Sequence, residues 1–184
     1  MQKNKISFRR AGISDYSEIL KIISLNHVSI EKNENKGFLC HSPDFHDLKS
    51  RLEKGKYNQV ALDNNNCIGF ITAFSNCEAI EYIKNGFLKY EIDAFSKISD
   101  DKYIWLDQLA IHPPYYYRNR IGTDLINSII DLGKMNGYAN FYGTVSLYPE
   151  TNIASIEFLK KNGFSFGETI IMNGRKWVFI KLNY

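Results

Sequence analysis

Two arginines, Arg118 and Arg120, stand just ahead of Gly122, and from Ile121 onward the apolar residues Leu125, Ile126, Ile129 and Ile130 recur at the spacing of one helix face. A helix that opens behind a basic turn is an anion site in outline. Its first-turn N–H groups lack intrahelical acceptors, its dipole favours negative charge, and a glycine lets a phosphate approach the backbone. Taken alone, the same residues also describe an ordinary exposed basic turn. Upstream, Asp107 sits in an apolar run, residues 103–111, where a carboxylate would act as a base, an anchor for an ammonium group or a structural hydrogen-bond acceptor. It lies four residues before Ile111, so strand alternation predicts that the two side chains share a face. Glu78, Glu81 and Tyr103 are further candidates for a base.

Other reactive residue types form no constellation. His27, His41, His46 and His112 are scattered, with His112 expected at a strand end, and Cys40, Cys67 and Cys77 have no metal-ligand spacing, so no metal is expected. No Gly-x-x-x-x-Gly-Lys-Ser/Thr phosphate loop and no Gly-x-Ser-x-Gly elbow occurs.

The elements that would position these groups read as one mixed α/β domain over residues 1–184. Residues 5–10 suit a first strand. Asp15 followed by Glu18 resembles a capping box, and Tyr16, Ile19, Leu20 and Ile23 form a helical stripe. A polar loop leads to Ser42-Pro43, a helix start, with Phe45, Leu48 and Leu52 on one face and Gly55 at the end. Two strands joined by Asp63-Asn64-Asn65-Asn66 form a hairpin. Residues 75–102 suit a short helix near 78–85 and then an aromatic, acidic segment packed near an acceptor site or serving as a structural flap. After the strand at 103–111, His112-Pro113-Pro114 stops pairing, the central helix ends at Gly137, and a strand, a helix and a final hairpin around Asn173-Gly174 follow.

Two segments carry a resemblance. Leu109-Ala110-Ile111 followed by Tyr117-Arg118-Asn119-Arg120-Ile121-Gly122 is similar to the acetyl-CoA-binding motif of the GNAT superfamily of N-acetyltransferases. There a strand ends in Leu-x-Val and a Gln/Arg-x-x-Gly-x-Gly/Ala turn opens a helix. Tyr117 replaces the usual Gln or Arg, and Arg120 the first glycine. Further on, Asn152, Ser155 and Phe158, behind Pro149 and ahead of Gly163-Phe164, resemble the family's Pro-x-x-Asn-x-x-Ser-x-x-Phe element.

The resemblance implies a mostly antiparallel twisted sheet of six to seven strands with about four helices, and a separation of the fourth and fifth strands. It implies acetyl-CoA as co-substrate. Leu109, Ala110 and Ile111 would face the pantetheine, residues Tyr117, Arg118, Asn119, Arg120, Ile121, Gly122 and Thr123 the pyrophosphate, and Asn152, Ser155 and Phe158 the pantetheine arm. Asp107 is the implied base or water-relay partner. The tyrosine that many relatives place near the CoA sulfur is Leu159 here, so water or Tyr148 would have to supply the proton. The expected reaction is direct attack by a primary amine of a small molecule or peptide in a ternary complex. A homodimer stays open, since many relatives pair.

Composition sets bounds. A length of 184 residues supports a full core, and a net charge of +3 is too small to argue for nucleic acid. No apolar run reaches the roughly 18 residues of a membrane helix. The N-terminal stretch has no apolar signal region and the cysteine count is odd, so a cytoplasmic setting with reduced thiols is expected. Two other classes remain: an acyl-CoA-binding module without turnover, suggested by Leu159 and the irregular turn, and a nucleic-acid binder using Arg118 and Arg120, whose affinity would fall with salt.

Overall fold

The computed structural model describes residues 6–28, 37–43, 45–88, 92–116 and 120–184. Seven strands form one sheet: β1 (Ser7–Arg10), β2 (Gln59–Asp63), β3 (Asn66–Ser75), β4 (Tyr103–Ile111), β5 (Asn140–Tyr148), β6 (Ser165–Met172) and β7 (Arg175–Asn183), in the order β1-β2-β3-β4-β5-β7-β6. All neighbours are antiparallel except β4 and β5. The helices are α1 (Tyr16–Asn26), α2 (Phe45–Lys54), α3 (Asn76–Lys84), α4 (Ile92–Phe95), α5 (Ile121–Met135) and α6 (Ile153–Lys161). The expected mixed architecture is present, with six helices among the described residues instead of about four. The additional short ones lie in residues 75–102.

Turn chemistry follows the sequence closely. Asn64 and Asn65 (φ 49° and 68°) close the β2–β3 hairpin, and Asn173 and Gly174 (φ 50° and 68°) close β6–β7. These residue types tolerate the left-handed region that tight hairpins require. Around Asp15 the reading differs. Asp15 does not cap α1 with its side chain; it accepts Arg9 Nη1 and Nη2 at 2.7 and 2.6 Å and the Gly12 N–H at 2.9 Å. A guanidinium fork gives a carboxylate more than one backbone donor does, so the ion pair wins over the cap. In α2, Leu48 and Leu52 are buried as the stripe predicts, but Phe45 is exposed and touches Tyr16 edge to face.

Packing separates into clusters on the two sheet faces. Leu125, Ile126, Ile129 and Ile130 of α5 bury against Ile68, Ile71, Ile104 and Phe141. On the other face α1 and α2 cover Val60, Phe70 and Ala110. Residues 75–102 complete that face: Ala79, Tyr82, Leu88 and Ala94 pack with Phe74, Trp105, Tyr142 and Phe179. Among the described aromatics of this segment, Tyr82 is core and Phe87 and Phe95 pack against it; Tyr90 lies outside the described residues. Ser75 and Glu78 form the capping box that starts α3, a Ser-x-x-Glu signal carried by the sequence itself.

Two features of β4 shape the middle of the sheet. First, its parallel pairing with β5 runs only from Tyr103↔Asn140 to Leu106↔Gly143 and then stops, so the two strands part. Gly143 sits at that last rung, where an added Cβ would lie 2.8 Å from the Leu106 carbonyl oxygen. Second, β3 pairs Thr72 with Gln108 but Ala73 with Leu106, which leaves Asp107 as the extra residue of a β-bulge.

Gly143→Ala must push a backbone carbonyl aside, so a loss of about 1–3 kcal/mol is expected in urea unfolding; a variant as stable as the parent would show that the rung is not tight. The Arg9 pair holds the Asp15 carboxyl below the usual carboxylate range, with the Gly12 N–H adding to the effect and partial burial opposing it. This stabilisation is present above the unfolded carboxylate value of about 3.9 and is lost as pH falls through the lower folded value. The stability gap between wild type and Asp15→Asn, followed by thermal unfolding across pH, should therefore narrow toward acid. A gap that widens there would refute the assignment.

Candidate active site

The bulge re-aims Asp107. Regular alternation would put it beside Ile111, yet Ile111 packs toward the α5 face while Asp107 turns to the α2 face. There its Oδ2 accepts from Arg51 Nη1 and, at 3.0 Å, from Thr72 Oγ1. Arg51, buried in α2, also donates to both oxygens of Asp47 at 2.7 and 2.8 Å and lies over the Phe74 ring. One guanidinium thus joins two carboxylates in a nearly dry setting. Arg51 carried no signal in the sequence, because only the fold brings α2 to the bulge.

Beyond the bulge, hydrogen bonding alternates along β4. His112 donates to the Ile68 carbonyl at 2.8 Å, so by alternation Ala110 also bonds to β3 while Leu109 and Ile111 direct their backbone groups away from it. That is the side from which β5 has departed. Asn26 of α1 donates to the Ile111 carbonyl at 3.2 Å, and Tyr116 donates to Asn26 in turn. His112 does end the strand, as expected.

A cavity of about 200 Å³ fills the gap between the parted strands. On the α5–α6 side it touches Leu106, Leu109, Ile126, Ser155, Phe158 and Leu159; on the opposite side, Trp105, Asp107, Met172 and Trp177. It therefore passes through the sheet. Residues 38–41 also line it, fixed by Asn152 Nδ2 to the Phe38 carbonyl (2.9 Å) and Gln108 Nε2 to the His41 carbonyl (2.8 Å). Asn152 Oδ1 in addition accepts the Ser155 N–H at 3.3 Å as the cap of α6. None of the described residues between 75 and 102 lines this cavity.

The α5 N-terminus lies next to it. Arg120 caps the helix in the left-handed region (φ 53°, ψ 25°), a conformation that glycine, the residue of the motif it resembles, adopts without steric cost. The first α5 bond runs from the Asp124 N–H to the Arg120 carbonyl at 3.0 Å, leaving the N–H groups of Ile121, Gly122 and Thr123 without a helical acceptor. Gly122 has a packing reason of its own. A Cβ there would lie 3.1 Å from the Phe158 ring and 3.3 Å from Ile111. Tyr117, Arg118 and Asn119 lie outside the described residues.

The remaining candidates separate. Tyr148, at the end of β5, is 61% exposed and does not line the cavity. Glu78 is occupied by its α3 cap and by the Lys56 N–H at 2.9 Å, and Tyr103 is buried in the core. Leu159 is buried at the cavity wall. Cys40 sits there beside Ser146, and burial pushes its thiol up from the ordinary value.

Comparison with known proteins agrees with this fold. The model of the acetyltransferase (GNAT) family matches residues 28–164. The fold is similar to Arabidopsis thaliana Naa50 in complex with the bisubstrate analogue CoA-Ac-MVNAL, at TM-score 0.66 and 16% identity over 97% of this chain and 99% of that one. It is also similar to Drosophila melanogaster polyamine N-acetyltransferase (TM-score 0.67, 14% identity, 98% and 100% covered) and to the ribosomal-protein-S18-alanine N-acetyltransferase of Escherichia coli (0.64, 14%, 97% and 94%). No curated protein matches the chain in sequence. By the family match, which spans well over half of its length, this chain belongs to the acetyltransferase (GNAT) family.

Proposed function

We propose that the protein is an acetyl-CoA-dependent N-acetyltransferase that moves an acetyl group to a primary amine of a small molecule or peptide by direct attack. The observation that carries this reading is the cavity that crosses the sheet where β4 and β5 part. Donor and acceptor can enter from opposite faces and meet inside it.

On the donor side, the free N–H groups of Ile121, Gly122 and Thr123 would hold the pyrophosphate, with Arg118, Asn119, Arg120 and Tyr117 completing the turn. The pantetheine arm would lie along Leu109, Ala110 and Ile111, bonding to the outward backbone groups of Leu109 and Ile111 and passing Ser155 and Phe158. An N–H at Ile111 facing the thioester oxygen would stabilise charge developing there. Asn152 serves by keeping the Phe38 wall in place.

The amine nitrogen attacks the thioester carbonyl carbon, the C–S bond breaks, and the nitrogen gives up its proton. Asp107 is the carboxylate at the acceptor side. Both of its donors among the described residues sit on Oδ2, so Oδ1 is the oxygen that would receive an ammonium or a relaying water. The CoA thiolate is a competent leaving group near neutral pH and takes a proton from water. Tyr148 would serve only if its side chain turned in from the strand end. An acyl-enzyme route would need a thiolate in the cavity, and burial of Cys40 disfavours one. Proximity of the two substrates would then supply much of the rate.

Leu159, apolar and buried where relatives carry a tyrosine, favours one other reading: a module that binds acyl-CoA without turning it over. Thiol release from acetyl-CoA across a panel of amines separates the two.

Arg120→Gly is expected to move two readouts in opposite directions. Relief of the left-handed residue should raise stability by about 1 kcal/mol, while loss of the charge should weaken acetyl-CoA binding about three- to fivefold in calorimetry. Unchanged affinity would remove Arg120 from the donor site. Cys40→Ser should keep kcat within about twofold of wild type, since no acyl-cysteine forms; loss of turnover with retained acetyl-CoA binding would instead point to a covalent route.

A further inference from the structure

The two guanidinium groups that meet this cavity or its network are in opposite states. Arg51 is fully engaged by Asp47 and Asp107. Arg175, the first residue of β7, lines the cavity beside Asn173 and Trp177, and its Nη1 is buried without a hydrogen-bond partner. The Glu150 carboxylate stands 3.8 Å from that nitrogen, beyond hydrogen-bond reach. Glu150 thus balances the charge without taking that donor, and it is the accessible remainder of the Arg175 side chain, 27% exposed, that lines the cavity and is offered to an acceptor there.

Its position limits that acceptor. β5 separates β4 from β7, and Thr144, level with Asp107 just past the last rung, pairs with Phe179, four residues along β7 from Arg175, so the two backbones stand about 16 Å or more apart, a gap that their side chains narrow. Between them the wall is mixed: Trp105, Met172 and Trp177 are apolar, and β5 adds Thr144 and Ser146. The cavity thus has a carboxylate at the β4 end, a guanidinium at the β7 end and a largely aromatic and thioether surface between, with Thr144 and Ser146 at its floor.

On the reading given under Proposed function, we propose that Arg175 recognises a carboxylate on the acceptor, which is an amine joined to that carboxylate by an apolar spacer of several bonds. The amine sits near Asp107 and the thioester, the spacer runs along Met172 and Trp177, and the carboxylate takes the Arg175 donors. A diamine of the same length is a poor ligand, because its second ammonium would face the guanidinium. An α-amino acid is too short to reach both ends.

The test uses the CoA-saturated protein and three probes of one chain length: ε-aminocaproate, its primary amide and hexamethylenediamine. Calorimetric titration should show the acid binding at least about tenfold more tightly than the amide or the diamine. Arg175→Met should abolish that preference while leaving CoA affinity unchanged. Equal or tighter binding of the amide or diamine, no binding of the acid, or a preference that survives in Arg175→Met would overturn the proposal. The wild-type acid-to-amide ratio decides the matter even if the variant fails to fold. Failure of CoA itself to bind would instead overturn the acetyltransferase reading, and it is seen in the first titration.

Discussion

Everything at the centre of this molecule depends on a parallel pair that stops early. β4 and β5 stay paired only through Leu106↔Gly143. Past that rung their backbones diverge, and peptide groups that a neighbour would satisfy in a continuous sheet face a cavity. Unpaired backbone polar groups away from water cost free energy, so the gap is a standing preference for a ligand that can offer main-chain-like donors and acceptors. The amide groups of a pantetheine arm meet that description. Gly143, whose missing side chain lets Leu106 approach, holds the last rung together just before the strands part.

The walls of the gap are held by side chains that bond to backbone. Asn152 and Gln108 tie down residues 38–41, and Asn26 holds the Ile111 carbonyl. Arg51 joins α2 to the bulge through two carboxylates. Each link is short in space and long in sequence. Together they make the opening a fixed shape, as binding without a large ordering cost requires. The bulge itself turns Asp107 from the α5 face to the α2 face, so one strand presents side chains of the cavity to both sides of the sheet.

Much of the fold was legible in the residues. Asn64-Asn65 and Asn173-Gly174 announced hairpins, the stripe of α5 announced its buried face, and Leu109-Ala110-Ile111 with Gly122 and Asn152 carried the family pattern. The misreadings share a cause. Alternation placed Asp107 beside Ile111 because a bulge leaves no mark in a single sequence. Asp15 read as a cap because local spacing could not reveal that Arg9 would compete for its carboxylate. Residues 75–102 stayed open between a segment near an acceptor site and a structural flap because aromatics suit either, and Tyr82, Phe87 and Phe95 pack at the core. Arg51 and Arg175 stayed invisible, since each gains its meaning from a partner, or from the lack of one, that only the folded chain defines. Gly122 carries two meanings at once: its spacing suggested phosphate approach, and the structure adds close packing against Phe158.

The central claim is that acetyl-CoA completes the sheet where β5 leaves β4. Hydrogen exchange at single-amide resolution, with and without acetyl-CoA, tests it most directly. The account predicts slower exchange at Leu109 and Ile111 and in the first turn of α5, at Ile121, Gly122 and Thr123, with little change at Ala110, which already bonds to β3. Binding of acetyl-CoA with no protection at Leu109 and Ile111, or protection confined to another face, would contradict it.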